Sequence, residues 1–123
     1  MGRNRKFDES EAIAASRTLF AERGYLGTSI DELTSRTGML RGSLYGAFGS
    51  KMGLFRACAQ SILDSGDTES HESMTFLIVA LKDVGSTDPR IADYCAAHLT
   101  ALGDNPAHKI GSALLSRLSR KDS

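Results

Sequence analysis

The chain of 123 residues has no tryptophan, only two prolines and only two cysteines. Its longest unbroken apolar run is 76–81, which is much shorter than the roughly 20 residues that a membrane-spanning helix needs. The basic N-terminus is not followed by the apolar core of a secretory signal, so the sequence predicts a cytoplasmic protein with no membrane association. With 41% hydrophobic residues, the chain is rich enough in apolar side chains to form a folded core.

The scarcity of cysteine also limits the disulfides and metal sites that the chain can form. Cys58 and Cys95 lie far apart in a chain without an export signal, and they are predicted to be free, buried thiols. Cys95 and His98 have helical i, i+3 spacing, but two ligands are too few for a zinc site. We therefore expect no metal, no cofactor and no enzymatic activity.

The sequence has no excess of charge of either sign, because 15 basic residues balance 15 acidic ones. Taken alone, this balance argues against a nucleic-acid partner. The charges are nevertheless sorted along the chain, with nine basic and six acidic residues in 1–60 and the reverse proportion in 61–123. The window 33–63 contains four basic residues and no carboxylate. Such a surface suits a polyanion, although chance clustering on a solvated face is an alternative.

Helical spacing and capping residues predict four helices in the first half of the chain. The first is expected to begin at Asp8 and to end at Gly24, and the second to begin at Thr28–Ser29 and to end at Gly38. A short third helix covers 41–48, and a fourth begins after Ser50. Short helices joined by a glycine-containing turn are typical of a helix-turn-helix.

The second half is also predicted to be helical. The polar segment 64–72 is interpreted as a loop, and the apolar segment 74–84 as a buried helix, with a buried strand as the alternative. Asp88–Pro89 and Asn105–Pro106 combine a capping side chain with a proline at the first helical position, so they predict two further helix starts. The predicted fold class is all-α, with a three-helix DNA-binding head at 1–56 and a short helical body at 57–123.

The segment 24–55 resembles the DNA-binding head of TetR-type transcriptional regulators. The shared elements are the Gly-Tyr entry, Thr-Ser-Ile at the second helix, the turn glycine, Gly-Ser-Leu-Tyr-x-x-Phe and Ser-Lys-x-x-Leu. The resemblance implies a regulator, most simply a repressor, that binds a double-stranded DNA operator as a homodimer. It also implies a set of DNA-contacting residues: Thr28, Ser29, Arg41, Gly42, Ser43, Tyr45, Gly46 and Lys51.

Chemistry agrees with the roles that the resemblance assigns. Hydroxyl groups and free N–H groups at a helix N-terminus can hold a phosphate, which suits Thr28 and Ser29. A guanidinium can pair with guanine O6 and N7, so Arg41 is the first candidate for base reading. Tyr45 and Lys51 are expected to contact phosphates.

Two departures from the family pattern concern helix starts. Leu40 stands where a capping hydroxyl is common before the recognition helix, and a lost cap costs about 1 kcal/mol. Gly53 replaces the acid that usually completes a capping box with Ser50.

The remainder of the chain is short for the family, whose members carry a body for effector binding and dimerisation. The stripes 91–102 and 110–118 are candidates for a dimer interface or for simple packing. A small apolar effector is predicted to bind among five residues that packing explains equally well: Met74, Phe76, Leu77, Tyr94 and His98. The alternative function is that of a truncated regulator that pairs with full-length relatives and blocks their DNA binding.

Overall fold

The computed structural model describes residues 5–121, and every regular element within that range is helical. A π-helical turn at Ala80–Val84 continues the fifth helix. The seven α-helices are α1 (Arg5–Arg23), α2 (Ile30–Thr37), α3 (Arg41–Phe48), α4 (Lys51–Ser65), α5 (His71–Val79), α6 (Pro89–Ala101) and α7 (Pro106–Lys121). The predicted all-α class, a helix-turn-helix head followed by a helical body, is confirmed.

Local capping explains most of the helix boundaries. Ser29 and Glu32 form a capping box at the start of α2, in which each side chain bonds the other residue's backbone N–H. Gly38 ends α2 in the left-handed conformation with φ of 75°. Asp88 accepts a hydrogen bond from the N–H of Ile91, and Pro89 occupies the first position of α6. The predicted starts of these helices are therefore confirmed by their side-chain bonds.

Three predicted boundaries were wrong. Helix α1 begins at Arg5 rather than Asp8, because arginine and lysine are good helix formers and extend the first turn. The connection predicted over 64–72 is shorter, since α4 continues to Ser65 and α5 already begins at His71. The buried helix predicted over 74–84 thus starts earlier and finishes in the π-helical turn.

The head and the body share one hydrophobic core. Helix α1 packs on α2, α4 and α5, and α4 in turn packs on α3 and α6. A chain of aromatic rings runs through this core: Phe20 lies edge-on to Phe55, with centroids 4.9 Å apart, and Phe55 stacks on Phe76 at 4.6 Å. Tyr94 extends the chain into α6, since its ring centroid lies 6.0 Å from that of Phe76. One continuous set of ring contacts therefore connects α1 with α6.

The two apolar stripes proposed for an interface differ in exposure. Ile91, Tyr94, Cys95 and His98 of α6 are buried in the core, so this stripe serves packing. On α7, Ile110 and Ala113 pack against the core, whereas three leucines further along remain exposed: Leu114, Leu115 and Leu118. Of the two stripes, only that on α7 leaves an apolar surface uncovered in the part of the chain that the structure describes.

Both cysteines are free and buried, as predicted. Burial raises the pKa of the Cys95 thiol to about 11 and raises the pKa of the Cys58 thiol further. No helix among residues 5–121 is both long enough and apolar enough to cross a membrane.

His98 lies fully buried between the body helix α6 and the connection before α5. Its Nε2 donates to the carbonyl oxygen of Thr68 over 2.8 Å, because a carbonyl can only accept. In the neutral imidazole Nδ1 accepts from the hydroxyl of Tyr94, 2.7 Å away. Burial favours this neutral form, with its proton on Nε2, because it lowers the pKa of His98.

Acidification is expected to destabilise the fold through His98. Burial lowers the pKa of His98 below its ordinary value of 6.5, so on acidification the unfolded chain takes up the proton before the folded one. Above pH 6.5 His98 is neutral in both states, and its stabilising contribution to the folded state is fully present. This contribution falls as the pH drops from 6.5 toward the lowered pKa of the folded state. Urea midpoints at a series of pH values should show this loss in the wild type. The loss should be smaller in His98→Gln, whose amide can form both bonds without titrating, and an identical pH dependence would contradict the assignment.

Candidate nucleic-acid interface

Helices α2 and α3 each bury one leucine in the core, Leu33 and Leu44. Because Leu44 points into the core, helical geometry directs positions 41–43, 45 and 46 toward solvent. Five of the predicted DNA-contacting residues are therefore exposed on one short helix: Arg41, Gly42, Ser43, Tyr45 and Gly46. Lys51 follows at the start of α4 and Ser29 precedes α2.

Arg41 is already paired within the head. Its Nη2 lies 2.8 Å from Oδ1 of Asp31 on α2, and both side chains are well exposed. An exposed ion pair of this kind is weak, since water and salt screen it. Without DNA, Asp31 holds the Arg41 guanidinium near the start of α3. On DNA, the guanidinium can exchange Asp31 for an acceptor at little cost.

The two glycines of α3 leave an open strip on its surface. Gly42 and Gly46 are four residues apart and so lie on the same side of the helix. A Cβ atom built at either position would meet no atom within 4 Å. The fold does not demand these glycines, and their effect is to let another molecule approach the α3 backbone closely.

Ser29 and Thr28 have different surroundings, although they are adjacent. Ser29 is exposed, and its hydroxyl oxygen accepts from the N–H of Glu32. Thr28 is buried, and its hydroxyl donates to the carbonyl oxygen of Gly24 over 2.7 Å. The placement of Thr28 departs from the predicted one, because its hydroxyl closes the turn before α2 instead of facing solvent.

Lys51 is positioned by an aromatic ring. Its Nζ lies 4.2 Å from the centroid of Tyr25, within cation–π distance. Partial burial lowers the pKa of Lys51 from its ordinary value. Tyr25 also packs on Phe20 and Phe55, so the ammonium group rests on a ring that the core holds in place.

The sequence predicted the feature at the start of α3 and missed the one at its end. Leu40 is the N-cap of this helix with 78% of its surface exposed, and its side chain forms no capping bond. At the other end, a Cβ atom on Gly53 would lie 1.9 Å from the carbonyl oxygen of Phe48. The lost capping acid was visible in the sequence, but the close approach of α4 to the end of α3 was not.

Several polar contacts connect the head with the body, and none was predicted. Arg17 and Thr18 of α1 both bond the carboxylate of Glu72 in α5. The Oδ2 of Asp83, in the π-helical turn, accepts from the N–H of Tyr25 over 3.0 Å. Arg56 on α4 forms an ion pair with Asp88, the N-cap of α6. This pairing holds the pKa of the Asp88 carboxyl below its ordinary range.

The residues predicted to line an effector pocket lie in the core. Met74, Phe76, Leu77 and His98 are buried and packed, as is most of Tyr94. A groove of about 480 Å³ lies elsewhere, between α3, α4 and α6. Of the five predicted pocket residues, Tyr94 is the one that lines this groove. Among the side chains that the structure describes, no group of three or more His, Cys, Asp or Glu is placed to hold a metal ion.

The segment that contains α2 and α3 is similar in sequence to known proteins. Residues 12–58 match the sequence model of the family described as bacterial regulatory proteins, tetR family. The chain is 34% identical over 104 residues to the uncharacterized HTH-type transcriptional regulator YezE of Bacillus subtilis, an alignment that covers 85% of this chain and 50% of the relative. Two relatives from Escherichia coli are HTH-type transcriptional repressors. The chain is 46% identical to BdcR over 54 residues (44% of this chain, 27% of BdcR) and 34% identical to ComR over 96 residues (78% and 43%). The chain thus spans half or less of the length of the curated relatives it matches.

Proposed function

We propose that this chain, whose residues 12–58 match the tetR family of bacterial regulatory proteins, is a sequence-specific repressor that binds its operator as a homodimer. The observation that carries the proposal is the exposed face of α3, where Arg41 stands beside a strip of two open glycines. This face suits the major groove, since Gly42 and Gly46 permit close approach and Arg41 can reach guanine O6 and N7. Two of the relatives named above are themselves repressors.

The remaining site residues are proposed to hold phosphates. Ser29 and the first N–H groups of α2, the exposed hydroxyl groups of Ser43 and Tyr45, and the Lys51 ammonium can each bind a phosphate oxygen. Thr28 contributes indirectly in this proposal, because its bond to Gly24 fixes the turn that orients Ser29. Arg41, Arg36 and Lys51 lie in the stretch 33–63, which has no carboxylate of its own. The acids that face Arg41 and Arg36, Asp31 and Glu22, form exposed ion pairs that water and salt screen.

Dimerisation and regulation are assigned to 57–123, with 1–56 as the DNA-binding part. The exposed leucines of α7 offer an apolar surface for a second copy. A small-molecule effector would release the operator by shifting the balance between two arrangements of head and body. The contacts Asp83–Tyr25, Arg56–Asp88 and Arg17–Glu72 are among the polar bonds that such a shift would have to accommodate.

Arg41→Ala is expected to weaken binding to a DNA site, selected from a random pool, by about 10- to 100-fold, because one bidentate base contact is lost. Binding to unrelated DNA should change little. Lys51→Gln should instead lower both affinities and reduce the salt slope by about one, because it removes a phosphate contact. Fluorescence anisotropy across a salt series measures all of these quantities.

Lys82→Gln is the matched control, since Lys82 is an exposed cation of the body, and it should bind DNA like the wild type. A chain that selects no sequence and does not respond to Arg41→Ala would contradict the proposal. Sedimentation of the chain alone should show a homodimer. If the chain instead acts by pairing with longer relatives, sedimentation of a mixture with such a relative should show a complex of the two proteins.

A further inference from the structure

The groove between α3, α4 and α6 has the size of a small-molecule site. Its volume of about 480 Å³ lies within the range of roughly 300–1,000 Å³ that is usual for ligand pockets. Ala47 and Phe48, from the last turn of the recognition helix α3, form one wall, and Ile91 and Tyr94 of α6 form another. An occupant would therefore touch the DNA-reading helix and the body at the same time.

The charged groups that line this groove are all cationic. Arg56 and Arg90 are the charged residues of the lining, Gln60 is an uncharged polar residue of it, and no Asp or Glu lies among the lining residues. Arg90 has no ion-pair partner among the described residues, and Arg56 has one in Asp88. Two guanidinium groups at one opening attract an anion, and their planar N–H groups match a carboxylate in particular.

The remainder of the lining is apolar. The Tyr94 hydroxyl is occupied by its bond to His98, so Tyr94 presents its ring to the groove rather than a free polar group. Phe48, Ile91 and the small side chain of Ala57 add further apolar surface. A ligand with a hydrocarbon part can displace water from these walls, whereas an inorganic anion cannot.

We propose that this groove binds a small amphipathic carboxylate, with its carboxylate at Arg56 and Arg90 and its hydrocarbon part against Phe48, Ile91 and Tyr94. The fold contains a precedent for the polar half of this contact, because Arg56 already receives the carboxylate of Asp88. A ligand carboxylate would share or replace that interaction, and Asp88 would keep its capping bond to the N–H of Ile91. The ligand would thus act on the ion pair that joins α4 to α6.

Binding of the carboxylate does not depend on DNA, whereas its regulatory consequence rests on the proposed function. The ligand would fix the last turn of α3 against α6 and so favour one orientation of the recognition helix. This assignment moves the effector from the buried residues around Met74 to the side of the head, and it changes the ligand from apolar to amphipathic and anionic.

Isothermal titration calorimetry of the full chain with octanoate, without DNA, tests the site directly. We expect saturable binding of octanoate and at least about tenfold weaker binding of octanamide, which has the same chain and no charge. Arg90→Gln should weaken octanoate binding by about tenfold through loss of a charge-assisted contact. Lys82→Gln, a cation outside the groove, should leave it unchanged.

Ala57→Leu tests the apolar half, because the larger side chain would fill the groove from α4. It should abolish octanoate binding while the helical circular dichroism spectrum is retained. Equal binding of octanoate and octanamide, or unchanged octanoate binding in both variants, would overturn the proposal. Because the titrations contain no DNA, a failure of the repressor hypothesis leaves their outcome unaffected. Loss of operator binding on adding octanoate to the wild type, but not to Ala57→Leu, would support the regulatory link.

Discussion

Replacing Phe55 with alanine is expected to lower the free energy of unfolding by about 3–5 kcal/mol, as is typical for truncation of a buried aromatic side chain. Phe55 is fully buried, and its ring contacts Phe20, Tyr25 and Phe76 with centroid distances of 4.9, 5.1 and 4.6 Å. It lies in α4 between the head and the body, so the cavity would open at their junction. Urea denaturation followed by circular dichroism measures the loss.

Leu26→Ala provides the control for this substitution, because Leu26 is 76% exposed and its truncation should change stability by no more than about 0.5 kcal/mol. The shared ring contacts also predict one cooperative transition for the head and the body together. A loss below 1 kcal/mol for Phe55→Ala, or a wild-type protein that unfolds in two separate steps, would contradict the single core.

Gly53→Ala is expected to destabilise the fold by about 2–3 kcal/mol, although the same change in a helix normally stabilises by about 0.5–1 kcal/mol. The sign reverses because the new methyl group would stand 1.9 Å from the carbonyl oxygen of Phe48. Either α4 must move away from the end of α3 or the helix must open there. Both responses disturb the recognition helix, so DNA affinity should fall together with stability.

Gly46→Ala separates the two effects. A methyl group there meets no atom of the protein within 4 Å, so this variant should be slightly more stable than the wild type. It should still bind DNA less well if α3 approaches the duplex closely. A Gly53→Ala protein as stable as the wild type would show that the contact with Phe48 relaxes freely and would contradict this account.

The limits of α2 were predictable because local contacts set them. Ser29 bonds an N–H three residues away, and Gly38 adopts a conformation that glycine favours within its own turn. The π-helical turn was not predictable in this way. Its residue Asp83 bonds the N–H of Tyr25, 58 positions earlier, and no periodicity within 74–84 encodes such a partner.

In the candidate site, too, the features that local spacing sets were predictable and those that depend on packing were not. Exposure of Arg41 and Tyr45 follows from helical spacing once Leu44 is placed in the core. A threonine hydroxyl can bond water, a phosphate or a nearby carbonyl equally well. The sequence therefore could not show that Thr28 is buried, because its burial depends on the turn that the chain forms at Gly24. Apolar residues such as Phe76 have the same pattern whether they fill a core or line a pocket. Only three-dimensional packing separates those outcomes.

The two buried thiols provide each half of the molecule with a chemical reporter. Cys58 lies in α4, close enough to α1 to reach the carbonyl oxygen of Ile13, and Cys95 lies in α6. Because alkylating reagents attack the thiolate, burial and a raised pKa protect both cysteines until the surrounding helices open. Their labelling rates therefore record the local opening of α4 against α1 and the local opening of α6 separately, in the unmodified chain and without an added dye.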